Sequence, residues 1–234
     1  REEDGLRGAR HWVADPLVPL ESTVAYVNLD ILGANLRGSV RDSTFAIGAE
    51  TGGPDFRAAV DRAARSGRPL TTRQLSLAFG LGRSDHAVFA EHSIPTVFFG
   101  DSTGPCYHTT GDDVDVVDFD KLRLQTETAR ALVRDLSSGR VTPSFVADAP
   151  VSSYGDAVSL LGVLQDGIEE LDTFSPEHQA TLLASLATAE GIVERGPEAF
   201  SSSDMVDVLI AAVPLVDILT TGECDGFLPD APRR

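Results

Sequence analysis

Thr23-Val-Ala-Tyr-Val-Asn-Leu-Asp30 is the stretch on which the fold turns. Its first seven residues are β-branched or apolar in the main, a run that suits a buried strand, and it delivers a carboxylate at its C-terminal end. Gly33 then lets the chain turn. Upstream, Leu6, Ala9, Trp12 and Val13 recur at helical spacing until Asp15-Pro16, where the residue before proline disfavours the α region. Downstream, Ser43 to Ala49 reads as a second strand, closed by Gly52-Gly53-Pro54. Phe56, Ala59, Val60 and Ala63 then mark an amphipathic helix ending near Gly67.

The alternation continues. Leu70 to Leu75 reads as a strand, Ser84 is placed to cap a short helix carrying Val88 and Phe89, and Pro95-Thr-Val-Phe-Phe99 is a further buried strand. Asp118 is placed to cap a long helix with Phe119, Leu122, Thr126, Ala129, Leu132, Val133 and Leu136 on one face. Strand and helix in this order predict a layered α/β sheet, with functional loops at the carboxyl ends of its strands. Asp30 and the loop from Gly100 to Val117 take those positions.

The pattern changes after the α/β part, which spans 1–138. Residues 139–151 hold Pro143 and Pro150 without periodicity and read as a linker or covering loop. Within 152–234, three stretches have helical spacing: Tyr154 to Leu171, Pro176 to Val193 and Ser203 to Leu219. Ser175-Pro176 supplies a cap and a first-turn proline to the second. These predict a small helical appendage.

Composition narrows the function. Across 234 residues, 42% hydrophobic and 24% charged, the chain should fold without cross-links. With 36 acidic against 19 basic residues the formal charge is −17, which repels nucleic acid and anionic lipid. The apolar stretch from Met205 to Leu219 is broken by Asp207, Pro214 and Asp217, so no membrane span is expected. Two cysteines, Cys106 and Cys224, are too few for a thiolate metal site, while one bridge between them is open in an oxidising compartment.

Four patterns carry candidate chemistry: Glu2-Glu3-Asp-Gly-Leu-Arg-Gly8, Val27-Asn-Leu-Asp30, Ser84-Asp-His-Ala-Val-Phe89 and Tyr107-His-Thr-Thr-Gly-Asp112. Singly, each has an ordinary structural explanation in surface charge, turn or helix cap. In this order they resemble the zinc-dependent aminopeptidases of metallopeptidase clan MH, the group of bacterial leucyl aminopeptidase and aminopeptidase Y, related to glutamate carboxypeptidase. The resemblance covers about Arg1 to Ser138 and implies a sheet of the zinc exopeptidase type with helices on both faces.

It also implies roles. Glu2 resembles the general base, and Tyr107 resembles the residue that donates a hydrogen bond to the oxyanion. Glu3 and His108 resemble ligands of one zinc ion and Asp30 a ligand of the other, with Asp85 and Asp112 as supporting carboxylates around them. The implied activity is hydrolysis of an N-terminal peptide bond, with two zinc ions activating a water and a peptide as substrate. His86 would line the pocket or pack, and His11, His92 and His178 match nothing.

The family also uses an upstream His and a bridging Asp without counterparts here. The chain therefore reads as truncated at its N-terminus, with incomplete half-sites that alone bind zinc weakly and hydrolyse little. Alternatives are a glutamate-type carboxypeptidase or glutaminyl cyclase of the same clan, or a non-catalytic module like the transferrin-receptor ectodomain. Export to the periplasm or outside the cell is implied by the resemblance alone.

Overall fold

The computed structural model describes residues 2–104, 106–219 and 224. Four strands form one sheet: β1 (Tyr26–Leu29), β2 (Ser43–Ile47), β3 (Thr71–Leu75) and β4 (Thr96–Gly100), in the order β1-β4-β2-β3. β1 runs parallel to β4 with Tyr26 opposite Thr96, and β2 runs antiparallel to β4 with Ala46 opposite Phe99. β2 and β4 are buried along their whole length, as central strands should be.

β1 is different. Its pattern is only partly buried, and Leu29 and Val24 are exposed, which corrects the expectation of a fully buried strand from Thr23. The reason is position: β1 lies at the end of the strand order, and its pairing with β4 begins only at Tyr26. β2 ends at Ile47, not Ala49, because Gly48 turns the chain with φ 91°.

Seven α-helices accompany this small sheet among the described residues, giving a mixed α/β fold. In chain order they are α1 (Arg7–Ala14), α2 (Gly53–Ala64), α3 (His86–Glu91), α4 (Phe119–Ser137), α5 (Tyr154–Gly167), α6 (Pro176–Arg195) and α7 (Ser202–Leu219). Residues 139–151 contain neither helix nor strand. The chain passes back and forth between two compact units: residues 1–30, 45–100 and 123–151 in one, residues 31–44, 101–122 and 152–234 in the other.

In the first unit α3 packs on β1 and β4, α2 packs on β3, and α1 packs on α3. Leu6, Ala9 and Val13 of the α1 region close over Val88, Phe89 and Ile94, with Trp12 and Tyr26 at the margin. This is the amphipathic stripe that the spacing of α1 predicts.

In the second unit α5, α6 and α7 pack against one another. Ser175 caps α6 by accepting from the His178 N–H at 3.2 Å, with Pro176 in the first turn. α5 ends at Gly167 and a 3-10 segment, Ile168–Thr173, follows in place of a helix to Leu171. That segment meets the loop before β2: Arg37 Nε donates to Glu170 Oε2 at 3.1 Å, and its guanidinium lies 4.3 Å from the Phe174 ring centroid. The C-terminal helices are thus tied to residues 31–44 and not merely appended.

α4 corrects a second expectation. Phe119, Thr126 and Val133 are exposed, while Lys121, Gln125, Thr128, Ala129, Leu132 and Asp135 are buried. The buried face has helical spacing but is mostly polar, so a stripe drawn through the apolar residues is rotated from the true one. Asp118 caps the helix as expected, its Oδ1 accepting from the Lys121 N–H at 3.1 Å.

The burial of Lys121 has specific partners. Its ammonium lies 3.2 Å from Asp101 Oδ1 and donates to Ala34 O at 2.9 Å and to Asn35 Oδ1 at 3.3 Å. Asp101 Oδ2 accepts from the Ala34 N–H at 3.1 Å. Asn35 Nδ2 and Arg41 Nε both donate to Asp118 Oδ2, at 3.3 and 2.6 Å. Burial alone would raise the Asp118 carboxyl, but the donors from Arg41, Lys121 and Asn35 outweigh it and hold it low.

Candidate active site

Strand alternation places Tyr26, Asn28 and Asp30 on one face of β1 and its C-terminal extension. The Asp30 N–H donates to Phe99 O at 3.1 Å, so β4 holds the backbone of this residue. Its side chain is held by Ser84, whose hydroxyl donates to Asp30 Oδ2 at 2.8 Å and accepts from Asn28 Nδ2 at 2.7 Å. Ser84 and Asn28 are buried, whereas the Asp30 carboxylate is half-buried at the strand end.

This chain of hydrogen bonds corrects the role expected of Ser84. Its side chain is not a cap of α3, which has no side-chain cap; the hydroxyl is committed to Asn28 and Asp30. Ser84→Ala leaves the buried Asn28 amide without its partner and is expected to cost about 1–3 kcal/mol of stability. Urea unfolding of the two proteins measures this, and an unchanged midpoint would show that the relay does not hold Asp30.

Glu2 and Glu3 precede α1; Glu2 is half-buried and Glu3 exposed. The Glu2 carbonyl accepts from the N–H groups of Gly5 and Leu6, at 3.1 and 2.8 Å, fixing the turn that leads into the helix. His86 is fully buried with its ring stacked on Phe98 at 4.7 Å. Neither ring nitrogen has a hydrogen-bond partner among the described residues, and burial pushes the imidazole down to about 4 against the opposing pull of Asp30. A Cβ on Gly80 would come within 2.5 Å of His86 Nε2, so only glycine fits beside this ring. His86 is therefore a packed neutral imidazole.

Asp85 lines one pocket with Tyr26 and Phe89. Burial raises its carboxyl, and Asp30 adds to it. Tyr26 is pushed up to about 12 by burial first, then by Asp85 and Asp30.

In the second unit, Tyr107 and His108 sit in the loop that follows β4, half-buried and exposed respectively, with rings stacked at 3.8 Å. His108 has φ 59°, a left-handed conformation that is uncommon for a side-chain-bearing residue and clusters at functional sites. Next to it Cys106 is bonded to Cys224, closing the pairing question that the sequence leaves open. Asp112 is exposed, and its N–H donates to Thr109 O at 3.3 Å within the same loop.

Carboxylate and imidazole donors are the ligand types zinc accepts. Among the described residues, however, no group of three His, Cys, Asp or Glu side chains gathers closely enough to hold a metal ion. Ser84 holds a candidate ligand directly and Asn28 holds Ser84 in turn, and spacing alone singles out neither. Ser84 lies inside a recognised motif, and Asn28 stands two residues before Asp30, on the same strand face.

The profile of peptidase family M28 matches residues 1–133, more than half of the 234-residue chain. The chain belongs to peptidase family M28. Every candidate residue named above, from Glu2 to Asp112, falls inside the M28 match. M28 members are metallopeptidases, and zinc is characteristic of the family. No curated protein matches the sequence.

Among solved structures, two of the LapA aminopeptidase of Legionella pneumophila are similar to this M28 chain. They are 20% and 21% identical to it, each with a TM-score of 0.47, and the matches cover 59% and 58% of this chain. The chain spans 38% of the length of each.

Proposed function

We propose that the chain contributes to the active site of an aminopeptidase that hydrolyses the N-terminal peptide bond of a peptide substrate, with two zinc ions as its cofactors. The observation that carries this reading is the M28 match, which includes Glu2, Glu3, Asp30, Tyr107 and His108 together. Zinc, when bound, supplies Lewis acidity at the scissile carbonyl. Glu3, Asp30 and His108 are the ligands this chain would offer, short of a complete set, with Asp85 and Asp112 as supporting carboxylates.

The remaining roles belong to the protein. Glu2 takes a proton from the attacking water and passes it to the leaving amine. The Tyr107 phenol donates to the oxyanion, a charge absent from the ground state, so its hydrogen bond strengthens as the reaction proceeds. Asn28 and Ser84 hold the Asp30 carboxylate in one orientation, as their hydrogen bonds support. The Cys106–Cys224 bond supports an oxidising compartment and hence export.

The test uses the chain together with whatever sequence naturally flanks it. Release of 4-nitroaniline from leucine 4-nitroanilide is expected, lost on chelation and in Glu2→Gln while the circular dichroism spectrum is kept. Cleavage only of substrates with a C-terminal glutamate would replace the aminopeptidase reading with a carboxypeptidase one. The 234-residue chain alone is expected to bind zinc weakly by calorimetry.

A further inference from the structure

A pocket of about 450 Å³ lies between α1, β1 and α3 in the first unit, apart from the groups that hold Asp30. Its walls are aromatic: Tyr26 stacks on Phe89 at 3.7 Å between ring centroids, and Trp12 meets Phe89 at 5.4 Å with a 45° tilt. Gly8 and Ala9 leave room on the α1 side, because neither carries a side chain beyond Cβ. The one charged group in the lining is Asp85. Its Oδ1 is buried and accepts no hydrogen bond among the described residues.

A buried carboxylate oxygen without a donor is costly, and the surroundings limit what could relieve it. A hard metal ion needs several oxygen ligands, and this lining offers one carboxylate among aromatic rings. An anion is repelled by Asp85, and a neutral hydrocarbon leaves Oδ1 unpaired. An organic ammonium satisfies both features at once: its N–H donors meet the carboxylate, and its charge and carbon stem lie against the negative faces of the rings.

We propose that this pocket binds an alkylammonium group, with Asp85 as its counter-ion and Trp12, Tyr26 and Phe89 as its aromatic walls. Tyr26 remains a neutral phenol there, consistent with its raised titration, and keeps its ring face for the cation.

Trp12 is the only tryptophan in the chain, so intrinsic fluorescence reports on the pocket directly. The experiment titrates the chain with n-butylammonium, and with n-butanol as a neutral probe of similar size. A saturable change in Trp12 emission is expected with n-butylammonium, weakened at least about tenfold in Asp85→Asn and at least about tenfold for n-butanol. No saturable change, equal binding of n-butanol, or undiminished binding by a folded Asp85→Asn variant would each overturn the proposal. If Asp85→Asn loses its native circular dichroism, the ratio of the two probes on the unmutated chain decides alone. The readout involves no turnover, so its outcome is independent of the peptidase reading.

Discussion

Replacing Lys121 by methionine is expected to destabilise the protein by about 3–5 kcal/mol, the cost of leaving one member of a buried ion pair without the other. The side chains of Lys121 and Asp101 are 2% and 1% exposed, so water cannot take the place of the lost partner. Burial pushes the Lys121 ammonium down while Asp101 pulls it up, the opposition expected when a charge is removed from water and then paired. Methionine keeps the length of the stem but removes the donors to Ala34 O and Asn35 Oδ1 along with the charge.

Asp101 would then keep the Ala34 N–H as a donor but lose its ammonium partner. Adding Asp101→Asn to Lys121→Met removes the stranded charge and keeps an acceptor for that N–H, so the double variant should recover part of the loss. Urea unfolding at neutral pH measures all three proteins. A single variant as stable as the parent would mean that the pair contributes nothing beyond an apolar contact.

Stability should fall by about 3 kcal/mol as pH drops from roughly 6.5 to 4, through His86 alone. The imidazole is pushed down to about 4 in the folded protein from its ordinary value of 6.5, because burial disfavours the cation. The unfolded chain therefore binds more protons across this window, and the sign follows: stability is complete above the unfolded value and is lost as pH falls toward the folded one. Below the folded value both states are protonated and the dependence ends.

His86→Phe keeps a ring against Phe98 but cannot take up a proton, so its stability should be flatter with pH over the same range. Nuclear magnetic resonance gives a second readout. One of the five histidines should keep its neutral shift down to about pH 4, and a ring that protonates near 6.5 in every case would refute the assignment.

Much of the local structure could be read from local pattern. The helix after Glu2-Glu3, the strand ending at Asp30, the strand before Gly100 and the Asp118 cap all rest on periodicity or on one residue's hydrogen bond to its neighbours. The serine-proline start of α6 was legible for the same reason. Family membership was legible too, because the order of four motifs is a property of the chain itself.

Other features depend on residues distant in sequence. Ser84 reads as a helix cap because serine before a helix usually is one, but Asn28 and Asp30 lie 56 and 54 residues away and claim its hydroxyl in the folded chain. Lys121 and Gln125 read as the solvated side of α4, and only the carboxylate of Asp101 and the polar groups of residues 34 and 35 make burial of the lysine tolerable.

The amino-acid order by itself determined most of the helices and strands and the membership in M28, since both follow from spacing and residue type. Tertiary structure alone decided which hydroxyl steadies Asp30, which cation is buried and which strand forms the edge of the sheet. Each of these is a choice among partners brought close only by folding, and a polar group's energy depends on the partner it finds.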